Sequence, residues 1–235
     1  MNSLTAPLTK SALVARVAPF VVFLLLTFCQ GHFGEAGKYW LYLVKTLVGA
    51  WMLWMIRPVV SEMRWRVSWE AAAVGVVVFA IWIGLDGVVL DQRQLWVRLG
   101  LGKAPSNPEP PWNPFLQFGD GAPFAWFFVA VRILGSSLVV PPLEEVFYRS
   151  FLYRWIAKPD FGSVPLGQFS VKPFAITSVL FGFAHNEWLA GILCAAAYQG
   201  LVCRTKRLGD AMTAHGITNC LLGVWVVWKG AWHFW

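Results

Sequence analysis

An all-α fold, a polytopic transmembrane helical bundle of about eight helices, is what this chain of 235 residues predicts, and three observations carry the prediction. Hydrophobic residues make up 57% of it against 13% charged, with a mean hydropathy of +0.57, which is not the balance of a water-soluble globule. Apolar runs of about 17 to 25 residues, the length that spans a hydrocarbon core of about 30 Å, recur along the chain. The Lys and Arg residues gather in short clusters beside those runs, as juxtamembrane charge does.

Taken in order, the first span is expected at residues 12–28. Lys10 and Arg16 precede the apolar stretch from Val17, the order of a signal peptide, but no small-residue cleavage site follows, so the segment reads as an uncleaved first helix. Hydropathy places further spans at 39–56, 69–85, 123–140, 173–184, 188–202 and 211–228. Residues 143–156 are amphipathic, because Glu144, Glu145, Arg149 and Arg154 interrupt Val146, Phe147, Phe151, Leu152 and Trp155. That pattern predicts an eighth helix, buried among the others. Residues 91–122 carry Pro105, Pro108, Pro110, Pro111 and Pro114 among Trp96, Trp112, Phe115 and Phe118. Proline prevents regular continuation of either flanking helix, so a membrane-surface loop is expected, its rings at headgroup level. No internal repeat is apparent, and 1–235 is read as a single integral membrane domain.

The formal charge of +7 does not indicate a nucleic-acid partner, since the cations are scattered beside the spans. Lys10, Arg16, Arg57, Arg64 and Arg66 favour a cytoplasmic N-terminus and second loop. Arg204, Lys206 and Arg207 then fall outside if 143–156 crosses the membrane and inside if it does not. Cys29, Cys194, Cys203 and Cys220 form no CxxC pair and read as packing residues.

Charged groups near mid-bilayer cost several kcal/mol each, so a cluster of them marks a use. Pro141 and Pro142, suited to the first turn of a helix, precede Glu144 and Glu145. Glu145 and Arg149 stand four apart with the acid first, the favourable order for an in-helix ion pair, while Glu144 points about 100° away. One carboxylate is thereby neutralised and the other left free. His185 ends an apolar helix after Phe181, and His215 and Asn219 share one face of the last span. Each histidine motif alone is ordinary helix packing, and the alternative reading of Glu145 with Arg149 is a structural ion pair on a solvated helix face. Together, on three helices, they supply what peptide hydrolysis needs: a base for water, a group to position it, and donors for an oxyanion.

The ordered triple Glu144-Glu145-x-x-x-Arg149, Phe181-x-x-x-His185 and His215-x-x-x-Asn219 resembles the CPBP family of membrane proteases, which includes the type II CAAX prenyl endopeptidases. The resemblance covers residues 123–228, which it makes the catalytic core. It implies a glutamic intramembrane endopeptidase of the bacterial inner (plasma) membrane, free of metal and cofactor. Its catalytic residues would be Glu144, Glu145, Arg149, His185, His215 and Asn219. Glu144 would be the base, His185 the holder of the attacking water, His215 and Asn219 the oxyanion donors, and Arg149 the group that orients the acids. The chain is also similar to a bacterial branch described as CAAX prenyl protease-related and linked with exosortase-type sorting. Bacteria generally lack prenylated CAAX proteins, so the expected partners are the lipid bilayer and a membrane-embedded or membrane-proximal polypeptide.

Two rival readings stay open on the residues alone. Glu144, Glu145, His185 and His215 are all possible zinc ligands, although no HExxH is present. A non-catalytic chaperone or immunity protein that binds a peptide would also carry a buried polar cluster.

Overall fold

The computed structural model describes residues 10–103 and 110–235, so Pro105 and Pro108 lie outside the described residues. Nine helices of five or more residues occur among them: α1 Ala12–Cys29, α2 Gly34–Ile56, α3 Trp69–Leu85, α4 Gln92–Arg98, α5 Pro114–Phe118, α6 Pro123–Ala157, α7 Val171–Gly182, α8 Trp188–Thr205 and α9 Leu208–Lys229. Four of these, α1 with its short extension to His32, α2, α6 and α9, are long and apolar enough to cross a membrane, and α3 and α7 are shorter apolar helices. The chain is a multi-pass membrane protein.

The helices begin where polar groups can satisfy their first backbone N–H groups. Ser11 accepts from the Val14 N–H at 3.3 Å and Ser68 from the Ala71 N–H at 3.2 Å, the usual N-cap arrangement. Ser68 also donates to Asp210 at 2.9 Å, tying the start of α3 to the start of α9. Small residues then permit close helix packing, as they do where no hydrophobic force drives helices together in lipid. A Cβ on Gly75 of α3 would lie 2.6 Å from the Ala214 carbonyl, and one on Gly209 of α9 would clash with the Arg64 carbonyl.

The fourth span and 143–156 are not two helices. They form one continuous α6, and Pro141 and Pro142 sit inside it rather than at a first turn. The helix tolerates them because it widens to π-helical geometry at Gly135–Val139 and again at Val146–Leu152. Such bulges are frequent at functional sites. With α6 crossing once, Arg204, Lys206 and Arg207 fall at the same end of the bundle as Arg57, Arg64 and Arg66.

Two sets of contacts identify the two ends. At one, Arg16 meets Glu62 at 2.7 Å, Lys206 donates to the Gly167 carbonyl at 2.6 Å, and Arg204 approaches Glu70 at 3.9 Å. Ser150 also donates to Glu62, which fastens α6 to the loop after α2. Burial of Glu62 opposes its ionisation, but hydrogen bonds from Ser150 and the Arg16 guanidinium outweigh it and hold the carboxyl below its usual range. At the other end Gln92 N–H donates to the Asn186 carbonyl at 2.7 Å, and His233 meets Asp86 at 3.0 Å. Lys10, Arg16, Arg57, Arg64, Arg66, Arg154, Lys158, Lys172, Arg204, Lys206 and Arg207 belong to the first end, whereas Lys38, Arg93, Arg98, Lys103 and Lys229 belong to the second.

The proline-rich segment differs from the surface loop expected of it. It contains α4 and α5, and two of its rings turn inward rather than toward headgroups. Trp112 is buried, 4.5 Å from the Tyr39 ring, and Phe118 stacks on Phe128 at 5.1 Å. An aromatic pocket between α2 and α6 offers these side chains more apolar contact than an interface does. All four cysteines are free. Cys194 is buried and Cys203 half-buried, but Cys29 and Cys220 are exposed on the bundle surface rather than packed within it.

Candidate active site

The site is assembled on α6, α7 and α9. Within α6 the first π-bulge has a local consequence that reaches α9. The Val140 N–H donates five residues back, to Gly135, and residue 141 is a proline with no N–H to donate. The Ser136 carbonyl is thus left without a helical partner. Asn219 supplies one, its Nδ2 donating to Ser136 O at 2.8 Å. Beside it, Gly216 allows α9 to approach until a Cβ would stand 2.7 Å from the Ser137 carbonyl. Asn219→Leu is expected to leave the Ser136 oxygen unpaired and to lower stability by about 1–3 kcal/mol. A thermal unfolding midpoint equal to that of the unaltered chain would remove Asn219 as the necessary partner.

The two adjacent acids have different fates. Glu145 is fully buried and meets Arg149 at 3.1 Å one helical turn on. Its other oxygen lies 3.0 Å from Nδ1 of His215. Arg149 is itself buried, with its guanidinium carbon 4.6 Å from the Phe181 ring centre. Glu144 is only partly covered, and its Oε2 has no hydrogen-bond partner within the protein; the nearest basic atom is His215 Nε2 at 4.0 Å.

The two histidines are held at one nitrogen each. His185 Nδ1 lies 2.8 Å from the Phe181 carbonyl, so the N–H sits on Nδ1 and Nε2 is directed away from that bond. Its ring is flanked by Phe181 at 4.7 Å and by the edge of Trp82 at 5.6 Å. His215 is buried between Glu145 and Tyr198, whose ring stacks on it at 5.2 Å. The Tyr198 hydroxyl donates to Thr218 at 2.7 Å, and Thr218 to the Gly75 carbonyl at 2.8 Å, a chain that locks α8, α9 and α3 around the imidazole.

Glu144, His185, His215 and Asn219 line one cavity of about 490 Å³, together with Tyr148, Phe181 and Ser136. Glu145 and Arg149 stand behind its wall. The cavity extends to Thr27, Asn186, Glu187, Phe234 and Trp235, all at the cation-poor end of the bundle, and it takes in Lys45 of α2 and Arg132 of α6. Sequence reading passed over Lys45, Arg132 and Tyr198. A signal for the first two was present, since each is a lone cation within an apolar run. Tyr198 gave none, because an aromatic residue in a membrane helix is unremarked until its neighbour is known. Among the described residues no group of three or more His, Cys, Asp or Glu side chains is arranged as a metal ligand set.

Fold and site together define an integral-membrane helical bundle with an acid–imidazole–amide cluster facing an internal cavity. Residues 124–221, which carry all three polar motifs, match the family model for Rce1-like proteins, described as type II CAAX prenyl endopeptidase Rce1-like. Over this stretch the chain is similar to the type II CAAX prenyl endopeptidases of the Rce1-like family. No curated protein and no solved structure matches it.

Proposed function

We propose that the chain is an endopeptidase that hydrolyses a membrane-associated polypeptide with a water activated by Glu144. The observation that carries this reading is the difference between adjacent acids: Glu145 stands behind the cavity wall, ion-paired with Arg149 and bonded to His215, whereas Glu144 lines the cavity and makes no ion pair with Arg or Lys among the described residues. Glu144 takes a proton from water as the water oxygen bonds to the scissile carbonyl carbon. The tetrahedral oxyanion so formed is held by Asn219, which keeps a second amide hydrogen beyond the one given to Ser136, and by Nε2–H of His215. The Glu145 carboxylate accepts from Nδ1–H of His215 and so orients the ring, and Nε2 donates when it too carries a proton. His185 positions the water through Nε2. Return of the proton from Glu144 to the amide nitrogen breaks the C–N bond and restores the carboxylate.

The reading also includes a side. The positive-inside rule assigns the cation-rich end to the cytoplasm. Since the cavity reaches the opposite end, substrate enters from the extracytoplasmic half of the bilayer.

The test is a comparison of membrane-fraction polypeptides from cells lacking the protein and cells carrying only the Glu144→Gln chain. Accumulation of one and the same uncleaved precursor in both is the expected result and identifies the substrate. Normal processing in the Glu144→Gln cells, with the precursor building up only in the deletion, would replace hydrolysis by a binding role.

A further inference from the structure

Two cations inside the cavity have no part in the chemistry above. Lys45 is 4% exposed, near the middle of α2, and its Nζ donates to Thr27 at 3.0 Å. It lies 4.7 Å from the centre of the Tyr42 ring. The Arg132 guanidinium carbon lies 4.6 Å from the same ring and 4.8 Å from that of Trp112. Two basic groups thus share one phenol ring, and neither forms an ion pair with any carboxylate among the described residues. Aromatic faces offset part of the desolvation of a cation. They do not remove the repulsion between two of them at bilayer depth, where an uncompensated charge costs several kcal/mol. An anion between them removes that cost.

We propose that Lys45 and Arg132 form a subsite for a carboxylate of the polypeptide substrate, borne either by an acidic side chain or by the chain's C-terminus. The inference rests on the reading of this cavity as the place where substrate is cleaved. Both cations open into the space that Glu144 lines. The rise along α6 from Arg132 to Glu144 is about 18 Å, at roughly 1.5 Å per residue. An extended peptide covers that in about five residues, at roughly 3.3 Å each. The subsite therefore selects an acidic group about five residues from the scissile bond and sets the register of cleavage. A lipid headgroup is a poorer occupant, because Lys45 is turned into the cavity and lies about 16 Å of helix from the start of α2.

Binding tests this separately from turnover. The full chain carrying Glu144→Gln, in neutral detergent, is titrated with three N-acetylated apolar hexapeptides of Leu and Ala: one with a free C-terminal carboxylate, one amidated, and one amidated with a single Glu at its last position. At least one carboxylate peptide is expected to bind tenfold or more tightly than the neutral amide, and the tighter of the two names the source of the anion. Lys45→Gln and Arg132→Gln should each abolish that preference without weakening binding of the amide, while Lys45→Arg and Arg132→Lys retain it. Equal affinity for all three peptides would overturn the subsite, as would a preference that persists in the Gln variants or a parallel loss of amide binding in them. None of these results depends on hydrolysis, so a Glu144 that proves dispensable for cleavage would leave the subsite standing.

Discussion

Glu144→Gln is expected to slow peptide-bond hydrolysis by roughly 10²- to 10⁴-fold, the usual contribution of a positioned general base, while the chain folds as before. Gln preserves the size of the side chain and its reach into the cavity, but it cannot take a proton from water. Stability should hardly change, because Glu144 Oε2 has no hydrogen-bond partner within the protein to lose. The two readouts are turnover of the precursor by purified protein in liposomes and the midpoint of thermal unfolding in detergent. Turnover within a few-fold of the unaltered chain would end the proposal for Glu144. A collapse in stability would show that the residue holds the fold together instead.

The neighbouring acid should behave in the opposite way. Glu145→Gln removes the charge that neutralises a buried Arg149 and the acceptor that orients His215. Breaking a buried pair by deleting one partner typically costs about 3–5 kcal/mol, because the remaining charge stays buried and unmatched. The expected result is a large fall in unfolding midpoint. Glu145→Gln combined with Arg149→Met should recover much of that stability, since replacing both members of a buried ion pair by neutral groups is often close to neutral. It should not recover activity, because His215 would still lack its carboxylate. A double variant no more stable than the single one would mean that Glu145 stabilises the bundle by some route other than Arg149. Recovery of turnover in the double variant would show that His215 needs no carboxylate to act.

Much of this architecture was legible in the residues before any coordinates. Six of the seven segments that hydropathy marks are helices with bounds within a few residues at most ends, because the cost of placing a polar backbone or side chain in lipid is local and additive along a run. The order of the three polar motifs pointed to the same stretch that matches the Rce1-like family. Local reasoning failed where a residue's meaning depends on a distant neighbour. Pro141 and Pro142 read as a helix start, since proline normally removes a hydrogen bond and breaks a helix. Here the bulge in α6 shifts the break, and Asn219, on α9, satisfies the carbonyl that it frees.

The sequence by itself therefore determined that the chain is a helical membrane protein and which ionisable residues its apolar helices must accommodate, because burial cost is a property of each residue in its own segment. Only the tertiary structure decided that the fourth and eighth predicted helices are one, that Glu145 pairs with Arg149 and His215, that Lys45 and Arg132 both approach the Tyr42 ring, and toward which end the cavity runs. Each of those depends on the electrostatic and hydrogen-bonding partners that one helix presents to another, and partnership between helices far apart in the chain leaves no periodic trace along it.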